Sequence, residues 1–170
     1  DTGALAITGV TTIAAGSGNN ITLDHTSNNF QAAVIITSGN NVTLVDAGAI
    51  DLGASTVSGT YTVTAGGAVT DSGTQEIAGV TTIAAGSGNN ITLNTSTNNF
   101  AAAVVITSGN NVTLVDEDAI NLGASTVSGT YTLTAGGEIT DTGALAITGV
   151  TTIAAGSGNN ITLDHTSNNF

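Results

Sequence analysis

"AAGSGNNITL" occupies residues 14–23, and the same ten letters return at 84–93 and 154–163. The interval is 70 residues, and the repetition extends well beyond the decapeptide. Residues 141–170 copy 1–30 without a change, and residues 71–140 copy 1–70 with 17 substitutions. The chain is therefore two full repeats, 1–70 and 71–140, followed by a partial third, 141–170. A unit that returns at a fixed period cannot bury its own apolar face and must stack on its neighbours. The expectation is one continuous segment over 1–170. Neither end carries an atypical segment that would serve as a cap, so the segment reads as a window of a longer repetitive chain.

Working outward from the decapeptide, "VTTIAAGSGNNITL" (10–23), "AVIITSGNNVTL" (33–44) and "TYTVTAGGAVTD" (60–71) share one design. Each is a strand, a glycine-containing corner and a second strand. "NITLD", "NVTLV" and "TYTVT" alternate polar and apolar residues, which is strand periodicity. Helix signals are poor, because Gly, Asn and Thr interrupt every run of good helix formers. Ile13, Ile36, Val63 and Ile83 lie 23, 27 and 20 residues apart, so each unit reads as three coils of about 23 residues. Third short strands would close the coils at 30–34, at 50–52 and around Ile77. The fold class is thus all-β, a parallel β-helix (β-solenoid) of about seven coils. At ~4.8 Å per coil the rod would be about 35 Å long and each unit would advance about 14 Å.

The corners fit this design. "SGNN" calls for a sharp turn, where Gly adopts positive φ and Asn is the next most tolerant residue. Stacked coils would bring equivalent Asn amides into ladders at 19–20, 40–41, 89–90, 110–111 and 159–160. The two copies also report on burial. Val63/Leu133, Val69/Ile139 and Ile35/Val105 exchange one aliphatic for another, as packed interiors tolerate. Leu5/Gln75, Ala6/Glu76, Ala47/Glu117, Gly48/Asp118 and Ala68/Glu138 gain polarity or charge and read as outer positions. The expected core is Ile7, Val10, Ile13, Ile21, Leu23, Val42, Leu44, Ile50 and Leu52, with Tyr61 inward and Thr60, Thr62 and Thr64 outward.

Composition excludes several classes of function. The chain has no Lys or Arg and 12 acidic residues, for a net charge of −12. Nothing can neutralise phosphates, so nucleic acid is not a partner. Anionic membranes repel such a surface, and the longest apolar run, Ala32 to Ile36, is too short to insert. With no Cys there are no disulfides, and with no Lys there are no Lys–Asn cross-links.

Candidate chemistry is sparse. His25 and His165 sit in "DHTSNNF", but the middle repeat has Thr95 there and Asn94 in place of Asp24. A periodic site would not lose both groups, so these histidines read as solvated loop residues. Asp46 and Asp51, with Asp116, Glu117 and Asp118 one unit on, fit no calcium-loop spacing and read as a solvated acidic loop. Asn20, Asn41, Asn90, Asn94, Asn111 and Asn160 head Asn-x-Ser/Thr triplets, most of them at the proposed ladder corners. No nucleophile–base constellation exists and "GSGN" lacks the Lys of a phosphate loop. The expectation is no enzyme, with no catalytic, cofactor-binding or metal residues and no cofactor.

"TYTVTAGGAVTDSGT" (60–74) and "AAGSGNNITLDHTS" (14–27) resemble the repeats of filamentous-haemagglutinin-type adhesins, giant secreted bacterial surface proteins. The likeness runs over the whole chain and lies in the general pattern of a strand, an "AGG" or "SGNN" corner and a second strand. It implies a right-handed winding and a location outside the cell or on its surface. The function read from it is structural: a segment of an extracellular fibre or adhesin shaft that supplies length, stiffness and self-association. The partners expected are further copies of the chain, end to end or laterally, and surface glycans. The alternative reading is a carbohydrate- or surface-binding module at the loops around 24–29 or 45–51. Ice binding by a Thr-x-Thr array is disfavoured, because "VTTIAA" and "AVIIT" break the array. A polysaccharide-cleaving enzyme is disfavoured by the lack of basic and aromatic residues.

Overall fold

A computed structural model describes all 170 residues. It contains strands and corners and no helix. Every strand pairing is parallel. Two long sheets run the length of the molecule on either side of one core. One, the first sheet, stacks Thr11–Ala14, Val34–Gly39, Ile50–Val57, Val69–Asp71, Ile91–Leu93, Val112–Asp116, Tyr131–Ala135 and Thr151–Ala155. The other, the second sheet, stacks Ile21–Leu23, Val42–Asp46, Tyr61–Ala65, Thr81–Ala84, Val104–Ser108, Ile120–Leu122, Ile139–Asp141 and Ile161–Thr162. The chain crosses from one sheet to the other and back once per coil, so each sheet counts eight coils.

The register fixes the coil length. On the second sheet Ile21 stacks on Val42, then Tyr61, Thr81, Val104 and Leu122. Steps of 18 to 23 residues average about 20. Seven steps of the first sheet carry the chain from Thr11–Ala14 to Thr151–Ala155, which is two 70-residue units in seven coils, so one unit holds three and a half coils rather than three. At ~4.8 Å per coil a unit then advances about 17 Å. The half coil has a consequence for symmetry. Thr11–Ala14 lies in the first sheet, and its copy Thr81–Ala84 lies in the second. Successive repeats are therefore related by a half-turn about the rod as well as by a translation.

The discrepancy of half a coil arises between Ile36 and Val63. Ile36 belongs to the first sheet and stacks on Ser55, whereas Val63 belongs to the second and stacks on Leu44. Both sheets present aliphatics inward and threonine outward, so a sequence alignment passes from one to the other unnoticed. Of the short third strands, the one around Ile77 lies where expected and the others are only partly so. They are Ala6–Ile7 with Asn29–Phe30, then Gln75–Ile77 with Asn99–Phe100 against the end of Ile50–Val57, then Ser125–Val127 with Leu145–Ile147. Val34 and Ile50–Leu52 belong to the long first sheet.

The core is one cluster of 32 buried apolar residues. Ile21, Val42, Leu44, Ile50, Leu52 and Tyr61 are buried as expected, and Ile7, Ile13 and Leu23 are half-buried in the first coils. Val10 is not core: it is 60% exposed, as are its copies Val80 (39%) and Val150 (70%). It sits in the turn before the strand, where alternation does not hold. Gln75 is likewise not an outer residue. It is fully buried, with Nε2 donating to the carbonyls of Gly53 and Gly73, and its copy Leu145 is buried too. The amide satisfies backbone carbonyls at a bend, which lets a polar residue replace leucine inside. Ile35 and Val105 are half-covered outward residues rather than interior ones. Ala6/Glu76, Ala47/Glu117 and Glu138 face outward as expected.

Positive φ occurs at Gly16 (86°) and Gly86 (81°), before the "SGNN" corner, and at Gly158 (86°), inside it as expected, and no Asn adopts it. At Gly39, inside the next corner, a Cβ would lie 2.9 Å from both Ile21 Cδ1 and Val42 Cγ2, so the residue is small for packing reasons.

Candidate functional site

Each repeat builds the same three polar devices, and all three join one coil to the next. The first closes the run of short third strands. Asp46 accepts the Phe30 N–H at 2.6 Å and the Gly48 N–H at 2.7 Å, and Asp116 accepts those of Phe100 and Asp118, each at 2.8 Å. Phe30 and Phe100 sit in the last of the short strands in their runs, so their N–H groups have no further strand to pair with. The carboxylate takes that place. Both aspartates are 2% exposed, so the solvated acidic loop is a correction: the loop's first residue is buried. Burial pushes the Asp116 carboxyl above its ordinary range, the two N–H bonds oppose the shift, and the neighbouring Asp118 and Glu117 add to it. The sequence did hold a signal: Asp46 is kept as Asp116 while the next two residues both become acidic.

The second device latches the "DHTSNNF" loop onto the preceding coil. Asp1 Oδ1 accepts the N–H groups of Asp24 and His25, and Asp71 accepts those of Asn94 and Thr95. Asn28 Oδ1 accepts the Leu5 N–H at 2.9 Å, Asn98 accepts that of Gln75, and Asn168 accepts that of Leu145. His25 and His165 are half-buried in an exposed loop, and each Nδ1 accepts an N–H two residues on, from Ser27 and Ser167. Thr95 replaces the histidine without loss of the latch, because the latch is made by Asp71 and Asn98.

The third device is the amide ladder, shorter than expected. Asn40 Nδ2 donates to Asn20 Oδ1 at 3.1 Å, and Asn41 Oδ1 accepts the N–H and hydroxyl of Thr60. In the next repeat Asn111, the copy of Asn41, makes both contacts: its Nδ2 donates to Asn90 Oδ1 at 3.2 Å and its Oδ1 accepts the N–H and hydroxyl of Thr130. Asn19 and Asn89 instead fold back on their own corners, donating to the carbonyls of Ala15 and Ala85.

Two shallow surface grooves recur from one repeat to the next. One, of about 290 Å³, has Thr56, Val57, Ser58, Glu76, Ile77 and Ala78 along it. The next repeat has Thr126, Val127, Ser128, Ala146, Ile147 and Thr148 in the same places. The other groove, of about 220 Å³, is lined by Gln31, Ala49, Asp51, Ala68 and Thr70, and its copy by Ala101, Ala119, Asn121, Glu138 and Thr140. Polar residues in each change between copies, as Asp51 does to Asn121 and Ala68 to Glu138. No group of three His, Cys, Asp or Glu side chains converges to hold a metal. No helix is long and apolar enough to cross a membrane.

On the outer faces, threonines stack in files of four and five, which "VTTIAA" joins and which "AVIIT" and its copy "AVVIT" break as expected, since Thr12 stacks on Ile35 and Thr82 on Val105. Thr22, Thr43, Thr62 and Thr82 are successive partners on the second sheet, and Thr70, Thr92, Thr113, Thr132 and Thr152 on the first.

A family model described as repeats of unknown function (DUF5649) matches residues 1–37, 39–107 and 109–170. No curated protein and no solved structure matches the chain.

Proposed function

The chain belongs to the DUF5649 family of repeats, and we propose that it is a structural segment of an extracellular fibre or adhesin shaft. The observation that carries this reading is the continuous parallel pairing of both long sheets, from first coil to last, around one core. Every coil is tied to the next by backbone hydrogen bonds and by buried aliphatics, and each repeat adds the three side-chain devices. Such a body resists bending and lengthens by about 17 Å with each added repeat. Nothing in it depends on an active centre, and outer residues change between copies without touching the mechanism. The filamentous-haemagglutinin-type adhesins share this logic of strand and corner, and the cell surface is the location that suits a chain of such reach. Its partners are further copies of the chain.

Electron microscopy tests the reading. The assembly on the producing cell should appear as thin, unbranched threads whose length scales with repeat number. Compact particles, or threads of unchanged length when repeats are deleted, would refute it.

A second reading, carbohydrate binding, is favoured by the groove beside loop 45–51, which recurs once per repeat. Glycan-array binding lost on substituting both Asp51 and Glu138 would support it, and an array without binding would remove it.

A further inference from the structure

We infer that the threonine file is the face on which two copies of the chain pair side by side. The inference rests on the shaft reading and names the surface through which shafts associate. The file is the middle of a patch three outward positions wide and four coils long. In the first repeat its rows are Asn20-Thr22-Asp24, Asn41-Thr43-Val45, Thr60-Thr62-Thr64 and Val80-Thr82-Ala84 on the second sheet. One unit on, the same rows run from Asn90-Thr92-Asn94 to Val150-Thr152-Ala154 on the first sheet.

Two observations single this patch out. The first is charge. The chain carries −12 with no cation, so copies repel wherever their carboxylates meet. The twelve positions on the first sheet hold no charge, and those on the second hold only Asp24. Between the copies, charge appears at Glu76, Glu117, Asp118 and Glu138, all outside the patch, while eleven of its twelve positions are unchanged. The second is apolar exposure. Val10, Val80 and Val150 are the large aliphatics left open in every repeat, and Val80 and Val150 lie in the patch beside the file.

A second copy is the occupant the geometry fits. Its own file has the same axial spacing, so threonines of one interdigitate with those of the other over many coils. The half-turn between repeats puts the patch on both sides of the rod, and pairing can therefore propagate from shaft to shaft. One patch covers about 400 Å², at ~4.8 Å per coil and ~6.8 Å per outward position, against about 800 Å² per partner in a stable complex. Pairing of a single patch is weak, and it accumulates along longer shafts.

Sedimentation equilibrium and small-angle X-ray scattering on the whole chain, up to about 1 mM protein in salt that screens the carboxylates, test this. The wild-type mass should rise with concentration, and the scattering should show a thicker cross-section at constant rod length. Thr43→Glu with Thr113→Glu should weaken association about tenfold or more. Ala6→Glu with Ala146→Glu adds the same charge where the middle copy already has Glu76, and should leave association unchanged. Circular dichroism should show all three folded. A monomer throughout, growth in length only, or equal weakening by both charge pairs would overturn the inference while leaving the rod intact. A monomer that co-sediments with ice or a neutral crystalline polysaccharide would assign the patch to that surface instead. Loss of the rod profile itself would count against the shaft reading.

Discussion

Replacing Tyr131 with Phe should make the protein more stable. The phenol is fully buried, and its hydroxyl has no hydrogen-bond partner. A hydroxyl taken out of water without a partner costs about 1–3 kcal/mol. The substitution removes that cost and leaves an oxygen-sized gap of about 15 Å³, worth ~0.4 kcal/mol at ~24 cal/mol per Å³. The net gain is about 1–2 kcal/mol, and each kcal/mol raises the unfolding temperature by about 3 °C for a chain of this size. Tyr61, in the equivalent place, is also buried with an unpartnered hydroxyl, so Tyr61→Phe should gain a similar amount. Alkali gives a second readout. Burial holds both phenols above the ordinary value of 10.0, so their contribution is present below pH 10.0 and is lost as the pH rises past it. The Phe variants should resist alkaline unfolding better. The assay is urea and thermal unfolding followed by circular dichroism, with the denaturant slope unchanged. Destabilisation by Tyr131→Phe would show that the hydroxyl is satisfied and would refute the packing argued for this coil.

Other expectations follow from the same geometry. Gly67→Ala should cost about 1–3 kcal/mol, because its Cβ would meet the Ala49 backbone N at 2.7 Å, whereas Gly18→Ala, with nothing within 4 Å, should change the stability by less than about 0.5 kcal/mol in urea unfolding. Asp116 carries a raised carboxyl pKa, so the folded state holds its proton at higher pH than the unfolded chain. Its contribution is therefore largest in acid and falls as pH rises through the folded value, and Asp116→Asn should flatten that part of the stability–pH curve. Leu114→Ala, fully buried, should cost about 2–5 kcal/mol in chemical denaturation, whereas Ile161→Ala, at a position 47% exposed, should cost less than about 1 kcal/mol.

Much of this fold can be read from the residues, and the limits are physical. Strands and corners are legible because the alternation in "NITLD" and "TYTVT" has no helical rival. Coil length is not, because Ile36 and Val63 look alike and face the core from different sheets. Gln75 and Val10 mislead for opposite reasons: one polar group finds backbone carbonyls inside, and one aliphatic sits in a turn. Asp46, Asp71 and Asn98 are ordinary loop residues in sequence. Their roles depend on which backbone N–H groups the neighbouring coil presents, and only the register decides that.

The half-turn between repeats is the claim most open to direct measurement, by electron–electron distances between paired spin labels. Thr70 and Thr132 share one file three coils apart, which predicts a Cα separation of about 14 Å. Thr62 and Thr132 are the same residue of successive repeats, yet they lie on different sheets three and a half coils apart, which predicts more than about 20 Å with the labels diverging. The repeat-equivalent pair should be the more distant of the two; finding it the closer would mean a whole number of coils per repeat and would contradict this architecture.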